Sequence, residues 1–200
     1  MAVSPEHLAG IYAAGPDPWG FRTSPYEARR FQAILGALRP SYASVLEIGC
    51  GNGELARRLA PRAGAYAGLD AVETALAAAR EAAPMARFVQ GFVPCELPEG
   101  AHDLVVVSEI LYFLDPAGID ALAAQIDARW PGAQVAAVNW LGPTGNPLQG
   151  AEALALFAAA LSSARPHRTA HEEADFRIDL WDGQRGEGLA PAVGIEPTTN

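Results

Sequence analysis

Residues 45–53 read Val45-Leu46-Glu47-Ile48-Gly49-Cys50-Gly51-Asn52-Gly53. A short apolar run ends in three glycines at alternate positions, and a helix-compatible stretch, Glu54 to Leu59, follows. That order reads as a buried strand, a tight turn whose backbone can approach a ligand, and the first turn of a helix. The spacing departs from G-x-G-x-x-G, which presents a helix start to a pyrophosphate. Here the third glycine comes one residue early, and a carboxylate, Glu47, stands two residues before the first. A negative side chain at that point suits a ligand carrying an amino group better than one carrying a diphosphate. Seventeen residues beyond Gly53 a second apolar run ends in Asp70, placed to accept hydrogen bonds from ribose hydroxyls. A glycine turn alone is a weak signal, because glycines also serve plain strand-to-helix turns. The Glu and the Asp at fixed offsets make it specific.

Working outward, 200 residues with 50% hydrophobic and 18% charged composition suit one globular domain with a sizeable core. The net charge of −9 argues against nucleic acid or an anionic membrane as main partner, since either needs a basic surface. All 14 basic residues are Arg, so no Lys is present for Schiff-base catalysis or a Lys-tethered cofactor. Cys50 and Cys95 lack metal-ligand spacing, and a small side chain inside the glycine turn accounts for Cys50. His167 and His171 are four apart but fall in a stretch read as strand, so no metal is expected. With no signal-like N-terminus and no run of membrane-spanning length, a soluble, cytoplasmic protein is expected.

Along the chain, Ser4-Pro5 and Ser24-Pro25 each open a helix, the second with Glu27 completing a capping box and Phe31, Ile34, Leu35 and Leu38 as its apolar face. Between them, Asp17-Pro18-Trp19-Gly20-Phe21-Arg22 forms a loop that either packs down on itself or covers a ligand. From residue 44 strands alternate with helices. Strands are expected at 44–48, 65–69, 86–90, 103–107 and 134–138, the fourth β-branched and central. Helices are expected from Glu54, over 73–83, from Asp115-Pro116 to about Trp130, and over 152–161. Residues 167–172 and 176–181 read as a closing antiparallel pair. The expected fold is α/β: a doubly wound, Rossmann-like, mostly parallel sheet with an antiparallel C-terminal edge hairpin and N-terminal helices as a lid. One domain is expected over 1–182, with 1–40 as the helical lid and 183–200 as a disordered tail.

Ligands of open α/β sheets bind at the carboxyl ends of the strands. Those ends are Glu47–Gly53, Asp70-Ala71, Gly91-Phe92, Ser108–Tyr112 and Asn139-Trp140. E-x-G-x-G-x-G followed by a strand-terminal Asp resembles the cofactor site of class I S-adenosylmethionine (SAM)-dependent methyltransferases. Methyl transfer is an in-line displacement that relies on positioning, and a base that takes the nucleophile's proton helps it. Glu109, just after the central strand, is the candidate base, with Tyr112 beside it for acceptor positioning; alternatively only the Glu109 backbone faces the cofactor. Phe92 sits where an adenine would stack, or belongs to the core.

A closer resemblance rests on Asp17-Pro18-Trp19, Ser24-Pro25-Tyr26-Glu27, Leu46–Cys50, Ser108–Phe113, Asn139-Trp140, Gly142-Pro143-Thr144, Pro147-Leu148 and Phe176–Trp181. These resemble the nodulation protein S methyltransferases, across about residues 17–182. The resemblance implies an N-methyltransferase that uses SAM, leaves S-adenosylhomocysteine (SAH), needs no metal, and acts on the free amine of a deacetylated sugar in a chitin-like oligosaccharide. Its pattern puts Gly49, Gly51 and Gly53 around the methionine part of the cofactor. Glu47 would face the amino group, Asp70 the ribose and Phe92 the adenine region, and Trp19, Arg22, Cys50, Ala71, Gly91, Ser108 and Glu109 are further candidate cofactor-binding residues. Trp19, Arg22 and Tyr26 would close the site. Two positions depart from the family: Phe92 stands where an acidic residue is common, and Asn139, at a position expected to open toward the substrate, where His is more usual. Two other readings stay open. The fold could bind SAM without catalysing transfer, or it could be a nicotinamide-dependent reductase, which lacks its usual glycine spacing here.

Overall fold

The computed structural model describes residues 2–183. Apart from Gly183, the stretch expected to be a disordered tail lies outside the described residues. One seven-stranded sheet organises the chain: β1 (Tyr42–Ile48), β2 (Ala63–Asp70), β3 (Arg87–Gln90), β4 (Leu104–Ser108), β5 (Gln134–Trp140), β6 (His167–Glu172) and β7 (Phe176–Trp181). Their order across the sheet is β3-β2-β1-β4-β5-β7-β6. Strands β1 to β5 run parallel, and β7 runs antiparallel to both β5 and β6. The chain enters at the middle, builds outward through β2 and β3, then crosses back to place β4 on the other flank of β1. That reversal opens a crevice at the carboxyl ends of β1 and β4.

The described residues form six α-helices: α1 (Pro5–Ile11), α2 (Pro25–Ala37), α3 (Glu54–Leu59), α4 (Glu73–Ala82), α5 (Pro116–Arg129) and α6 (Gly150–Ala160). The side-chain alternation of each strand divides the core in two. Leu46, Ile48, Val105, Val107, Val135 and Ala137 pack beneath α5 and α6, against Ile119, Leu122, Ile126 and Phe157. Val45, Tyr66, Val106, Ala136 and Val138 face the other way, against Phe31 and Ile34 of α2, Leu55 and Leu59 of α3 and Leu76 of α4. Both faces of the central strands are buried, which is why β4 is a continuous apolar run.

The helix starts follow their capping residues. Ser4 Oγ accepts from His7 N at 3.2 Å and Asp115 Oδ1 from Gly118 N at 3.0 Å. The capping box expected at α2 is only half formed. Ser24 Oγ accepts from Glu27 N at 3.4 Å, but the Glu27 carboxylate turns inward to Arg30 instead of back to the cap. Burial of the first turn of α2 against the cavity wins over the local reciprocal bond. Strands β1, β2 and β5 extend one or more residues past the expected limits, because ladder pairing continues where the hydrophobic signal stops. Among the described residues no helix is long and apolar enough to cross a membrane.

Candidate functional site

The first loop after β1 is shaped by contacts that exclude side chains. Gly49 has φ +85°, and a Cβ there would lie 2.1 Å from Ile110 Cγ2 and 2.6 Å from the Ser108 carbonyl oxygen. The glycine therefore lets the β1 turn close on the end of β4. Gly49 N and Cys50 N both donate to Leu69 O, at 2.8 and 3.0 Å. Asp70, at the end of β2, completes the turn: its Oδ2 accepts from Gly51 N at 2.8 Å and its Oδ1 from Val72 N at 3.0 Å. Burial pushes the Asp70 carboxyl above the usual carboxylate range, although these backbone bonds pull it down.

Around this turn the carboxyl ends of the strands enclose a cavity of about 720 Å³. That volume lies within the range of ligand sites for small organic molecules. Of the residues expected at the site, Trp19, Glu47, Gly49, Cys50, Gly51, Asp70, Ala71, Gly91, Phe92, Ser108, Glu109 and Tyr112 line it. Two do not. Gly53 is a packing position: its φ is +77°, and a Cβ would stand 2.7 Å from Ala79 Cα of α4. Arg22 is drawn to the start of α3, with Nε 3.5 Å from Glu54 Oε1. Cys50 contributes backbone to the wall, while its thiol is buried against β2 beside Gly68 and is pushed up by that burial. Asn139 also departs from expectation. It is fully buried, donates to Gly150 O at 2.5 Å, and holds α6 to the end of β5 rather than opening into the cavity.

Glu47 lies on the floor and is 1% exposed. Tyr66 Oη donates to its Oε2 at 2.6 Å. Burial pushes the carboxyl up to about 7, against the pull of the Tyr66 hydroxyl and with a further push from Asp70. A cationic group arriving here would gain a carboxylate that water no longer solvates.

The opposite wall is built on Glu109, which has φ +58°, the one positive value at a non-glycine among the described residues. That geometry aims its side chain at three donors: Arg30 Nη1, Tyr112 Oη at 2.8 Å, and Trp140 N at 2.8 Å. The Glu109 carboxylate is thus held as an anchor between α2, the turn at 111–113 and β5. Arg30 was not legible as a site residue, because it sits among the charged positions of α2. In the structure it is 5% exposed and lies between Glu27 and Glu109, with Phe21, Tyr26 and Phe31 rings within 6.0 Å.

The mouth is covered by residues of the N-terminal stretch. Asp17 caps its own loop, accepting from Phe21 N at 2.7 Å and Arg22 N at 3.1 Å. The loop presents Trp19, which meets Tyr12 edge-on at 5.2 Å and Phe21 at 5.6 Å. Tyr12, Trp19 and Phe21 all line the cavity. The second helix, expected as part of the lid, serves both sides: Tyr26, Glu27 and Arg30 face the cavity while Ile34 is core. The polar groups fit a nucleoside bearing an amino-acid arm: the Glu47 and Asp70 carboxylates line the cavity, and the buried Asn52 amide at the turn has no hydrogen-bond partner among the described residues. No group of three or more His, Cys, Asp or Glu that could hold a metal occurs among the described residues.

Comparison with known proteins agrees with this geometry. A family model described as a methyltransferase domain matches residues 45–129. A solved structure from Pseudomonas syringae, described as a candidate methyltransferase, is 36% identical, with a TM-score of 0.67 over 78% of this chain and 98% of that one. Nodulation protein S of Sinorhizobium fredii is 27% identical over 118 residues, 56% of this chain and 55% of its own length. The N-methyltransferase NodS of Bradyrhizobium japonicum, solved with SAH, has the same fold, with a TM-score of 0.74 and 19% identity over 90% of this chain and 98% of that one. The chain spans about half the length of the curated relatives it matches. A β1 turn closed by Asp70, a crevice at the strand reversal and these matches lead to one assignment: the chain belongs to the class I SAM-dependent methyltransferases and resembles nodulation protein S.

Proposed function

We propose that this protein binds SAM and transfers its methyl group to an amine of a small-molecule or saccharide acceptor, such as a deacetylated amino sugar. The observation that carries the reading is the meeting, in one cavity at the strand reversal, of Glu47, the Asp70-braced glycine turn and an aromatic lid. When bound, SAM supplies an electrophilic methyl carbon on a sulfonium. The chain's residues do the rest. Asp70 accepts from the ribose hydroxyls, Glu47 meets the ammonium of the amino-acid arm, and Gly91 and Phe92 border the adenine. Trp19, with Tyr12 and Phe21, excludes water from the reacting atoms, which strengthens every charge interaction inside.

Glu109 was the expected base. With three donors on its carboxylate it is better read as a positioning residue that fixes Arg30, Tyr112 and the Trp140 backbone. A catalytically inactive SAM-binding module is the second reading, favoured by that saturation of Glu109. The discriminating experiment incubates the protein with SAM and a mixture of primary amines that includes glucosamine, and measures SAH formation. Acceptor-dependent SAH supports the enzyme. Tight SAH binding with no turnover on any amine supports the binding module.

A further inference from the structure

Eight buried side-chain nitrogen and oxygen atoms lack a hydrogen-bond partner among the described residues. Six of them belong to cavity-lining residues: Tyr26 Oη, Glu27 Oε2, Arg30 Nε, both amide atoms of Asn52, and Asn146 Nδ2. Three of the six therefore sit within one turn of α2. Unpaired buried polar groups are costly, and these three lie close together near the start of α2, on residues that line the cavity.

The two carboxylates on that wall are not equivalent. Glu109 is held by three donors from three elements, whereas the Glu27 carboxylate meets Arg30 alone among the described residues. In that contact Arg30 Nη2 lies 2.5 Å from Glu27 Oε2. Arg30 is shared with Glu109, so two buried carboxylates face one guanidinium and one negative charge is left over. The neighbouring rings of Tyr26 and Trp140 meet edge-on at 5.6 Å and line the same cavity, a wall that favours a cation.

We propose that Glu27, rather than Glu109, is the carboxylate that meets the acceptor, and that the acceptor enters as a primary or secondary ammonium docked on Glu27 beside Tyr26 and Trp140. The proton step follows: an N–H bond of the ammonium breaks, an O–H bond forms on the Glu27 carboxylate, and the lone pair stays on nitrogen, ready to attack. The proposal rests on the methyl-transfer reading and names its acceptor class and its proton acceptor. Burial holds the Glu27 carboxyl at about 7, so it can accept and release a proton near neutrality. The charged and titratable groups facing it are Arg30, which favours its ionised form, and Glu109 and Asp17, which oppose it, with the Tyr26 and Tyr112 hydroxyls beside the cluster.

The test titrates the SAH-saturated protein by calorimetry with two matched pairs, ethanolamine against ethylene glycol and glucosamine against glucose. At pH 7.5 the amine of a pair should bind at least about tenfold more tightly than its uncharged counterpart. Glu27→Gln should erase that preference while leaving SAH affinity unchanged, and Glu27→Asp should restore part of it. In the wild-type protein at pH 6, amine binding should release a proton from Glu27, read as heat that depends on the ionisation enthalpy of the buffer. The proposal is overturned if wild-type protein shows no preference in either pair, if the preference survives Glu27→Gln, or if the heat at pH 6 is independent of buffer. Failure of SAH to bind at the outset removes the methyl-transfer reading itself, and shows before any amine is added.

Discussion

At the scale of single residues, Asp70 braces the β1 turn with a carboxylate that also lines the cavity, and the proposed function gives it the ribose as well. It accepts from Gly51 N and Val72 N. Asp70→Ala should weaken SAH binding by at least about tenfold, because a charged hydrogen-bond acceptor is lost and the turn loses its brace. Isothermal titration measures this directly, and an unchanged affinity would remove Asp70 from the ribose site. Gly53 separates a packing role from a binding role. Gly53→Ala adds a Cβ 2.9 Å from Ala79 Cβ at a φ of +77°. It should cost about 1–3 kcal/mol in urea unfolding, and SAH affinity per folded molecule should change little by comparison. Gly53 was named in sequence as a cofactor residue because spacing cannot tell a glycine that approaches a ligand from one that approaches a helix.

Elements show where pattern reading succeeds and where it stops. The strands were legible because burial on both faces demands apolar β-branched runs such as Val105-Val106-Val107. The helix starts were legible because Ser4, Ser24 and Asp115 cap by local bonds. The buried face of α2 was not. Glu27 and Arg30 look like a solvent-exposed pair three apart, but both are buried beneath Glu109, a partner 79 positions away from Arg30. Only tertiary structure brings that carboxylate close enough to hold a guanidinium inside. The half-formed capping box has the same cause. The loop at 17–22 rests on aromatic contacts and the Asp17 turn, with Trp19 still 43% exposed. Trp19→Ala should therefore leave the unfolding midpoint nearly unchanged while speeding SAH dissociation by about tenfold, measured by stopped-flow fluorescence or surface plasmon resonance. Equal dissociation rates would show that the loop is packing alone.

For the whole molecule, the cavity makes stability depend on pH in an unusual direction. Glu47 keeps its proton up to about 7 in the fold, whereas an unfolded Glu ionises near 4.5. Between those values Glu47 binds more proton in the folded chain than in the unfolded one, so its contribution to stability is highest below about 4.5, declines as pH rises to about 7, and levels off above. For Glu47 the loss is at most about 3 kcal/mol; Glu27 acts in the same window with the same sign. Urea unfolding of the ligand-free protein should show this decline between pH 5 and 7.5, with Glu47→Gln flattening it. A flat wild-type profile would mean that Glu47 is ionised in the fold. The same balance explains how the site uses its charge, since a cationic ligand group on Glu47 turns a destabilising buried carboxylate into a partner.

The central claim is that the crevice at the β1–β4 reversal is a SAM site, and calorimetric titration of the wild-type protein with SAH, with NAD as control, tests it most directly. The account predicts one-site binding of SAH with a dissociation constant on the order of micromolar and no binding of NAD. Absence of SAH binding, or NAD binding of equal strength, would contradict it.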